Sequence, residues 1–327
     1  MTDALVQPRV VDADACERAV SEPELIEEIA RGFISYSQGR VVVPPVGHLG
    51  FTDPQGDVHL KYGYVRGGDV FVIKVATGFP GNSAHGLPTG DGCMLVFDSH
   101  TGLLLAVLLD RSRLTDIRTA AAGAVAARAF APRSISCIGV IGTGVQGRLQ
   151  PQLLKHVLTC RNVALYGRSR ERAAACAADL AALGFRVEIC ASADEVAQRS
   201  ELIVTTTASR ETLFHSSSVR PGTHITAVGA DSPGKQELDP ALFARADVVA
   251  ADSISQCADH GDLAPALASK SIALDRVREL GAVLANPSLG RSTEEQITIV
   301  DLTGVAVQDI VIAEHVMRRL DSPTAHG

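Results

Sequence analysis

Three glycines spaced as Gly142-x-Gly144-x-x-Gly147 are the residues whose spacing points most directly to chemistry. They follow an apolar, β-branched run, 135–141, and lead without a gap into a helix-like segment, 145–157. In such a strand–turn–helix the first glycine allows a tight turn, the second admits a pyrophosphate, and the third lets the helix approach the strand. Free N–H groups at the start of the helix then bind the phosphates. The pattern predicts a dinucleotide site, the alternative being a glycine turn in another kind of α/β protein. The loop residues between the glycines are Thr143, Val145 and Gln146.

The end of the next predicted strand, 162–166, bears on which dinucleotide is bound. An NAD site usually has an acidic residue here, about 20 residues beyond the last glycine, that binds the ribose hydroxyls. This chain has Gly167, Arg168 and Ser169 instead. Because a guanidinium and a hydroxyl bind a 2′-phosphate that a carboxylate would repel, these residues favour NADP(H) over NAD(H). The alternative is that Arg168 and Arg170 are solvated charges at the start of a helix.

Two lysines lie on predicted strands of the first third of the chain. Lys74 interrupts an apolar strand, so it lies either at the sheet surface or in a partly desolvated position. A desolvated lysine has a lowered pKa and can act as an acid or base near neutral pH. Lys61, on the strand 58–65, is either a second cation for a substrate carboxylate or an exposed side chain.

Arg118 and Asp231 are the other candidates for work on a substrate. Arg118 is suited to a bidentate contact with a carboxylate, or else it pairs with Asp116 or Asp110. Asp231 follows the strand 224–229, at the edge of the sheet where parallel folds bind ligands. It either orients an amine or moves a proton, or it only initiates a turn.

Histidine and cysteine contribute weaker signals. His48 and His85 lie on predicted loops, where histidines are more often surface residues than catalysts. No group of His, Cys, Asp and Glu has the spacing of metal ligands, so no metal is expected. The seven cysteines are scattered and form no C-x-x-C pair, which is typical of reduced thiols in a cytoplasmic protein.

The elements around these residues divide the chain into two predicted domains. Short strands over 41–110, separated by Gly, Asp and Pro turns, indicate a largely antiparallel sheet. From about residue 121, strands alternate with helices, which predicts an α/β fold with a doubly wound parallel sheet of Rossmann type over 121–303. The smaller α+β domain takes 1–120 together with a C-terminal helical segment, 304–327. The strands predicted for the parallel sheet are 135–141, 162–166, 186–190, 201–206, 224–229, 247–251 and 297–301.

Composition excludes some partners. The chain is 46% hydrophobic and 20% charged, with a net charge of −7 and no basic cluster, which argues against nucleic acid or an anionic membrane as a partner. No apolar run approaches the ~20 residues of a membrane helix. The N-terminus lacks the pattern of a secretory signal, so we expect a cytoplasmic location.

Four blocks of the sequence, taken together, resemble the ornithine cyclodeaminase/μ-crystallin family. They are Lys74-Val75 with Pro80-Gly81-Asn82 and Gly86-Leu87-Pro88-Thr89, the stretch 114–122, the glycine loop 142–147, and the stretch 229–238. The resemblance implies a homodimer whose first domain carries the substrate site and the dimer contact. It also implies that Lys74, Arg118 and Asp231 occupy the family's proton-transfer, carboxylate-binding and amine-orienting positions.

The family is mixed in function, so the resemblance leaves three alternatives. The first is NAD(P)-dependent hydride transfer to or from C2 of a small 2-imino or 2-amino acid, as in imine reductases and amino-acid dehydrogenases. The second is an ornithine-type cyclodeaminase with recycled NAD, and the third is a non-catalytic, crystallin-like binding protein. Two departures disfavour the second. Arg168 stands where the ornithine lyase has an acid, and the stretch 43–48 has only His48 where that lyase has an arginine. His48 is therefore a candidate for binding the substrate together with Arg118, and Lys61 is the alternative source of the missing cation. The block 229–238 is similar to the alanine dehydrogenase and imine-reductase branches.

Overall fold

The computed structural model describes residues 7–322, so residues 1–6 and 323–327 of the predicted first domain lie outside the described part. The chain divides into two compact units, Met1–Arg118 with Val305–Gly327, and Thr119–Gly304.

Strands follow one another in much of the first half of the chain, whereas strands and helices alternate in most of the second half. The first half contains β1 (Arg9–Asp12), α1 (Ala13–Arg18), α2 (Glu22–Ser37), β2 (Val41–Val42), β3 (Gly47–Thr52), β4 (Gln55–Val65), β5 (Val70–Gly78), β6 (Gly90–Asp98), β7 (Leu104–Leu109) and α3 (Arg113–Phe130). The strands that follow are β8 (Ile138–Ile141), β9 (Asn162–Tyr166), β10 (Arg186–Ile189), β11 (Leu202–Thr205), β12 (His224–Ala227), β13 (Val248–Ala251), β14 (Val277–Glu279) and β15 (Thr298–Asp301). The helices that follow are α4 (Val145–Leu154), α5 (Arg170–Ala182), α6 (Ala193–Arg199), α7 (Pro240–Arg245), α8 (Ile254–His260), α9 (Leu263–Ala268), α10 (Leu280–Ala285) and α11 (Ala306–Asp321).

The first unit is built on a seven-stranded sheet in the order β1-β7-β6-β5-β4-β2, with β3 pairing β4. All its pairs are antiparallel except β1 with β7. The C-terminal helix α11 packs on β4 and β5 and also against α2. A Cβ on Gly32 of α2 would lie 3.0 Å from Val311 of α11, so the glycine permits the close approach of the two helices. This approach places the first turn of α11 over the middle of the sheet.

The two faces of this sheet differ in character. Side chains alternate between faces along a strand, and on β5 the buried Val72 and Lys74 share the face that α11 covers. The opposite face carries large apolar side chains that are between 36% and 57% exposed. They are Leu49, Leu60, Tyr62 and Tyr64, with Phe51 at the edge.

The second unit is built on an eight-stranded, wholly parallel sheet in the order β10-β9-β8-β11-β12-β15-β13-β14. This order, which runs outward in both directions from β8, is that of a doubly wound sheet, so the predicted fold class is confirmed. Every strand predicted for this sheet is present, and the one strand that was not predicted, β14, has three residues. Among residues 7–322, no helix has the length and apolar character needed to cross a bilayer.

Candidate active site

Lys74 lies in a buried ion pair in the first unit. Its Nζ donates a hydrogen bond to Asp309 Oδ1 at 3.0 Å and lies 2.9 Å from Oδ2. The side chains of Lys74 and Asp309 are 4% and 1% exposed. Of the two positions considered for Lys74, the structure therefore has the desolvated one.

Arg118 meets the same carboxylate from α3. Its Nε lies 3.0 Å from Asp309 Oδ1, and its Nη1 donates a hydrogen bond to Gln308 Oε1 at 2.7 Å. The side chain is buried. A guanidinium has five N–H donors, so these two contacts leave donors for a further carboxylate. The helix α3 begins at Arg113, so Arg118 lies in its second turn.

Lys61 completes the set of cations. It lies directly opposite Lys74 in the antiparallel pairing of β4 with β5, so both side chains leave the sheet on the same face. The structure thus brings together Lys61, Lys74 and Arg118 around Asp309. Such an excess of positive charge suits the binding of a small carboxylate.

Burial sets the protonation of this cluster. Burial and the repulsion of Arg118 lower the pKa of Lys74 to about 7, although the attraction of Asp309 opposes them. For Asp309, burial opposes ionisation, but the attraction of Lys74 and Arg118 outweighs it and holds the pKa of the carboxyl below its ordinary value. Lys74 can therefore gain or lose a proton near neutral pH while Asp309 stays ionised.

Asp309 itself is absent from the sequence-based prediction, which assigned the helical segment 304–327 to the first domain and named no site residue in it. The available signal was the pair Gln308-Asp309 in the first turn of an otherwise apolar helix. Both side chains are 1% exposed. Charged residues are almost never fully buried unless they are paired, so an acid in that position implies a cationic partner.

His48 does not join the cluster around Asp309. It lies on β3 directly opposite His59 of β4, and the two ring centroids are 5.0 Å apart. Asp57, two residues before His59, is 3.5 Å from it (Oδ2 to Nε2). The pairing of two strands therefore assembles three potential metal ligands that have no recognisable spacing in the sequence.

The glycine loop of the second unit has the geometry that a dinucleotide needs. Gly142 has φ +124°, and a Cβ there would collide with Thr206 Oγ1. A Cβ on Gly147 would collide with the carbonyl oxygen of Gly142, whereas one on Gly144 would meet nothing within 4 Å. The first and last glycines are thus required by the fold, and the middle one leaves open space at the N-terminus of α4, where N–H groups bind phosphate.

Arg168 and Ser169 lie at the same edge of the parallel sheet. A Cβ on the preceding Gly167 would come within 2.5 Å of Thr143 in the glycine loop, so the two turns are in contact. The Ser169 hydroxyl oxygen accepts a hydrogen bond from the Arg172 N–H at 3.2 Å and caps α5. Arg168 is exposed. Arg168 and Ser169 therefore follow β9 directly, beside the glycine loop.

Asp231 is in the loop after β12 in the second unit. It forms an ion pair with Lys235 and accepts a hydrogen bond from Ser232 Oγ at 2.9 Å. Lys235 and Ser232 belong to the same loop as Asp231, and the side chain of Asp231 is 52% exposed.

Glu237 is a buried residue that the sequence-based prediction treated only as part of a block. It accepts hydrogen bonds from the Thr207 N–H at 2.6 Å, the Gly229 N–H at 2.8 Å and the Thr205 hydroxyl at 2.7 Å. Burial and the nearby Asp262 raise its pKa to about 7. Through these hydrogen bonds Glu237 links the loops after β11 and β12, at the edge of the sheet where parallel folds bind ligands.

The comparisons with known proteins agree with this geometry. The model of the ornithine cyclodeaminase/mu-crystallin family matches residues 8–323. A Sinorhizobium fredii protein described as an uncharacterized cyclodeaminase is 40% identical over 288 residues, which is 87% of each chain.

Two solved structures match nearly the whole chain. An archaeal alanine dehydrogenase dimer with bound NAD has a TM-score of 0.89 at 30% identity and covers 95% of both chains. A Thermococcus litoralis Δ1-pyrroline-2-carboxylate reductase, in complex with NADH and L-proline, has a TM-score of 0.89 at 25% identity and covers 95% of this chain and 97% of its own. The resemblance inferred from the sequence is thus confirmed, and the chain belongs to the ornithine cyclodeaminase/mu-crystallin family.

Proposed function

We propose that this chain is an NAD(P)-dependent reductase or dehydrogenase that transfers a hydride to or from C2 of a small 2-imino or 2-amino acid. The observation that carries the proposal is the buried cluster of Lys74, Asp309 and Arg118, which combines a titratable amine with a guanidinium suited to a carboxylate. The alanine dehydrogenase and the pyrroline-2-carboxylate reductase support it, because each name refers to a small acid of this class.

Each proposed role follows from the chemistry of one side chain. Arg118 and Lys61 bind the substrate carboxylate, which fixes C2 and its nitrogen relative to the sheet. Lys74 gives a proton to the imine nitrogen in reduction and accepts one in oxidation. Asp231 orients the amine. The nicotinamide, when bound, supplies or accepts the hydride. His48 lies against His59 and Asp57, so the proposal assigns the carboxylate to Arg118 and Lys61.

One assay separates the candidate functions. Purified protein is given NADPH or NADH with a panel of 2-oxo acids plus ammonia or methylamine, and with cyclic imines. In parallel it is given ornithine with a catalytic amount of NAD. Cofactor consumption with an imine supports the proposal. Ammonia release from ornithine without net cofactor change would show a cyclodeaminase instead, the activity that the name of the Sinorhizobium fredii relative suggests. Binding without turnover would show a crystallin-like protein.

We propose NADP(H) as the preferred cofactor, on the basis of Arg168, although the two solved relatives hold NAD or NADH. Arg168→Asp is expected to raise the KM for NADPH at least about tenfold, because a charge-assisted contact worth about 1.5–3 kcal/mol is replaced by repulsion. The KM for NADH should change little. Arg186→Asp, at another exposed arginine of the same unit, is the control. Wild-type protein that uses NADH and not NADPH would contradict the assignment.

We further propose a homodimer formed through the exposed apolar face of the seven-stranded sheet. Contiguous apolar patches of this kind mark association surfaces, and the archaeal alanine dehydrogenase is described as a dimer. Tyr62→Glu combined with Tyr64→Glu is expected to convert the dimer to a monomer in sedimentation equilibrium, because two charges would be buried without partners. Leu274→Glu, at a 50% exposed position of the second unit, should leave the dimer intact. A double variant that sediments as a dimer would exclude this face.

A further inference from the structure

The β3–β4 hairpin assembles a second polar cluster that the proposed reaction does not use. His48 of β3 faces His59 of β4 across the antiparallel pair, and Asp57 lies on the same face two residues before His59. One candidate ligand atom from each of the three side chains lies within 4.8 Å of the others. The rings of the two histidines are tilted by 57° to each other, with their centroids 5.0 Å apart.

We infer that His48, Asp57 and His59 form a binding site for one divalent transition-metal ion of the zinc type. Two imidazoles and one carboxylate are a ligand set that such ions take, and three protein ligands leave a coordination position open. Metal–ligand bonds of about 2.0–2.2 Å place tetrahedral ligand atoms roughly 3.3 Å apart. The ligand atoms therefore need to move closer by only a small distance, which rotation of the exposed His48 side chain can supply.

The local charges permit a cation at this position. Asp57 contributes a negative charge, and its side chain is 45% exposed, so an ion can enter from solvent. Lys61 lies two residues beyond His59 on the same face and opposes a cation, but Asp57 offsets that charge.

A comparison with another cluster of the same unit shows what distinguishes this one. Glu24, Glu28 and His315 also have ligand atoms within 4.8 Å of one another. There, however, Arg318 forms an ion pair with Glu28, and Arg319 lies 3.6 Å from Glu24. Two guanidinium groups already neutralise those carboxylates. In the hairpin cluster, by contrast, the carboxylate of Asp57 forms its ion pair with His59 and not with an arginine.

The test is a metal titration of the whole protein after treatment with a chelator. Zn²⁺ is titrated by calorimetry and Co²⁺ by visible absorption at pH 7.5. We expect one ion per chain, and a Co²⁺ spectrum without the near-ultraviolet band that thiolate ligands give. His48→Ala and His59→Ala should each abolish the one-to-one binding, and Asp57→Asn, which keeps the shape of the side chain, should weaken it.

The matched control is another histidine–aspartate pair of the same unit. His100 lies 3.7 Å from Asp69 and is 70% exposed, without a third ligand close by in the described part of the unit. His100→Ala should therefore bind the metal as the wild type does. Circular dichroism establishes that each variant is folded. The inference is overturned if Zn²⁺ does not bind at micromolar concentration, if binding survives in His48→Ala and His59→Ala, or if the Co²⁺ spectrum shows thiolate ligation.

Discussion

Lys74→Met is expected to lower kcat for imine reduction by about 10²–10⁴-fold, the range that a positioned acid or base contributes. Methionine fills a similar volume in the buried position but has no proton to give. The nucleotide loop lies in the other unit, so the affinity for the dinucleotide should be unchanged. Steady-state kinetics at saturating substrate, beside a fluorescence titration with the cofactor, measure the two effects separately.

The pH dependence provides a sharper test of the same role. Burial and Arg118 lower the pKa of Lys74 to about 7. If the protonated amine is the acid in reduction, kcat falls as the pH rises through about 7. In the oxidative direction the neutral amine is the base, so kcat rises over the same interval. In Lys74→Met the residual kcat should show neither the fall with pH in reduction nor the rise with pH in oxidation.

Two further variants separate proton transfer from charge. Lys61→Met removes the cation opposite Lys74 on the neighbouring strand, so it should raise the KM for the acid substrate. The change of kcat near pH 7 should remain, because Lys74 is intact.

Asp309→Asn removes the attraction that raises the pKa of Lys74. The pH at which kcat changes should therefore move to a lower value. A Lys74→Met variant with the kcat of the wild type would refute the proposed role.

Arg118→Lys is expected to raise the KM for the acid substrate by about 10–100-fold, with kcat within a few-fold of the wild type. Lysine keeps the charge but loses the planar arrangement of donors that binds a carboxylate in a bidentate way. A hydrogen bond between charged groups contributes about 1.5–3 kcal/mol, and each 1.4 kcal/mol is tenfold in affinity. The measurement is the dependence of the initial rate on substrate concentration.

The control for this substitution lies on the same helix. Arg128, near the C-terminal end of α3, is exposed, and Arg128→Lys should leave KM unchanged. A methyl ester of the substrate gives a second comparison, because an ester lacks the charge that Arg118 recognises. The ester should be a poor substrate for the wild type and no poorer for Arg118→Lys. Equal KM values for the acid in wild type and Arg118→Lys would exclude the carboxylate contact.

Local patterns were sufficient for the parallel sheet and its nucleotide loop. Buried parallel strands appear as short apolar runs. The turn after β8 requires glycine at Gly142, whose φ is +124°, and at Gly147, where a Cβ would collide with the carbonyl oxygen of Gly142. The family was also evident from the sequence, because its blocks are contiguous stretches. The strand β3 was missed, since 47–52 contains two glycines and no apolar run.

The sequence by itself determined the fold class, the dinucleotide fingerprint and the candidate residues Lys74 and Arg118, because each depends on neighbours close in the chain. Only the tertiary structure decided that Asp309 binds both of them, although it is 235 positions from Lys74. It also decided that His48 lies opposite His59, across the pair of strands β3 and β4. Such contacts depend on strand register and on where a distant helix packs, and a one-residue change of register would turn every side chain of a strand to the other face.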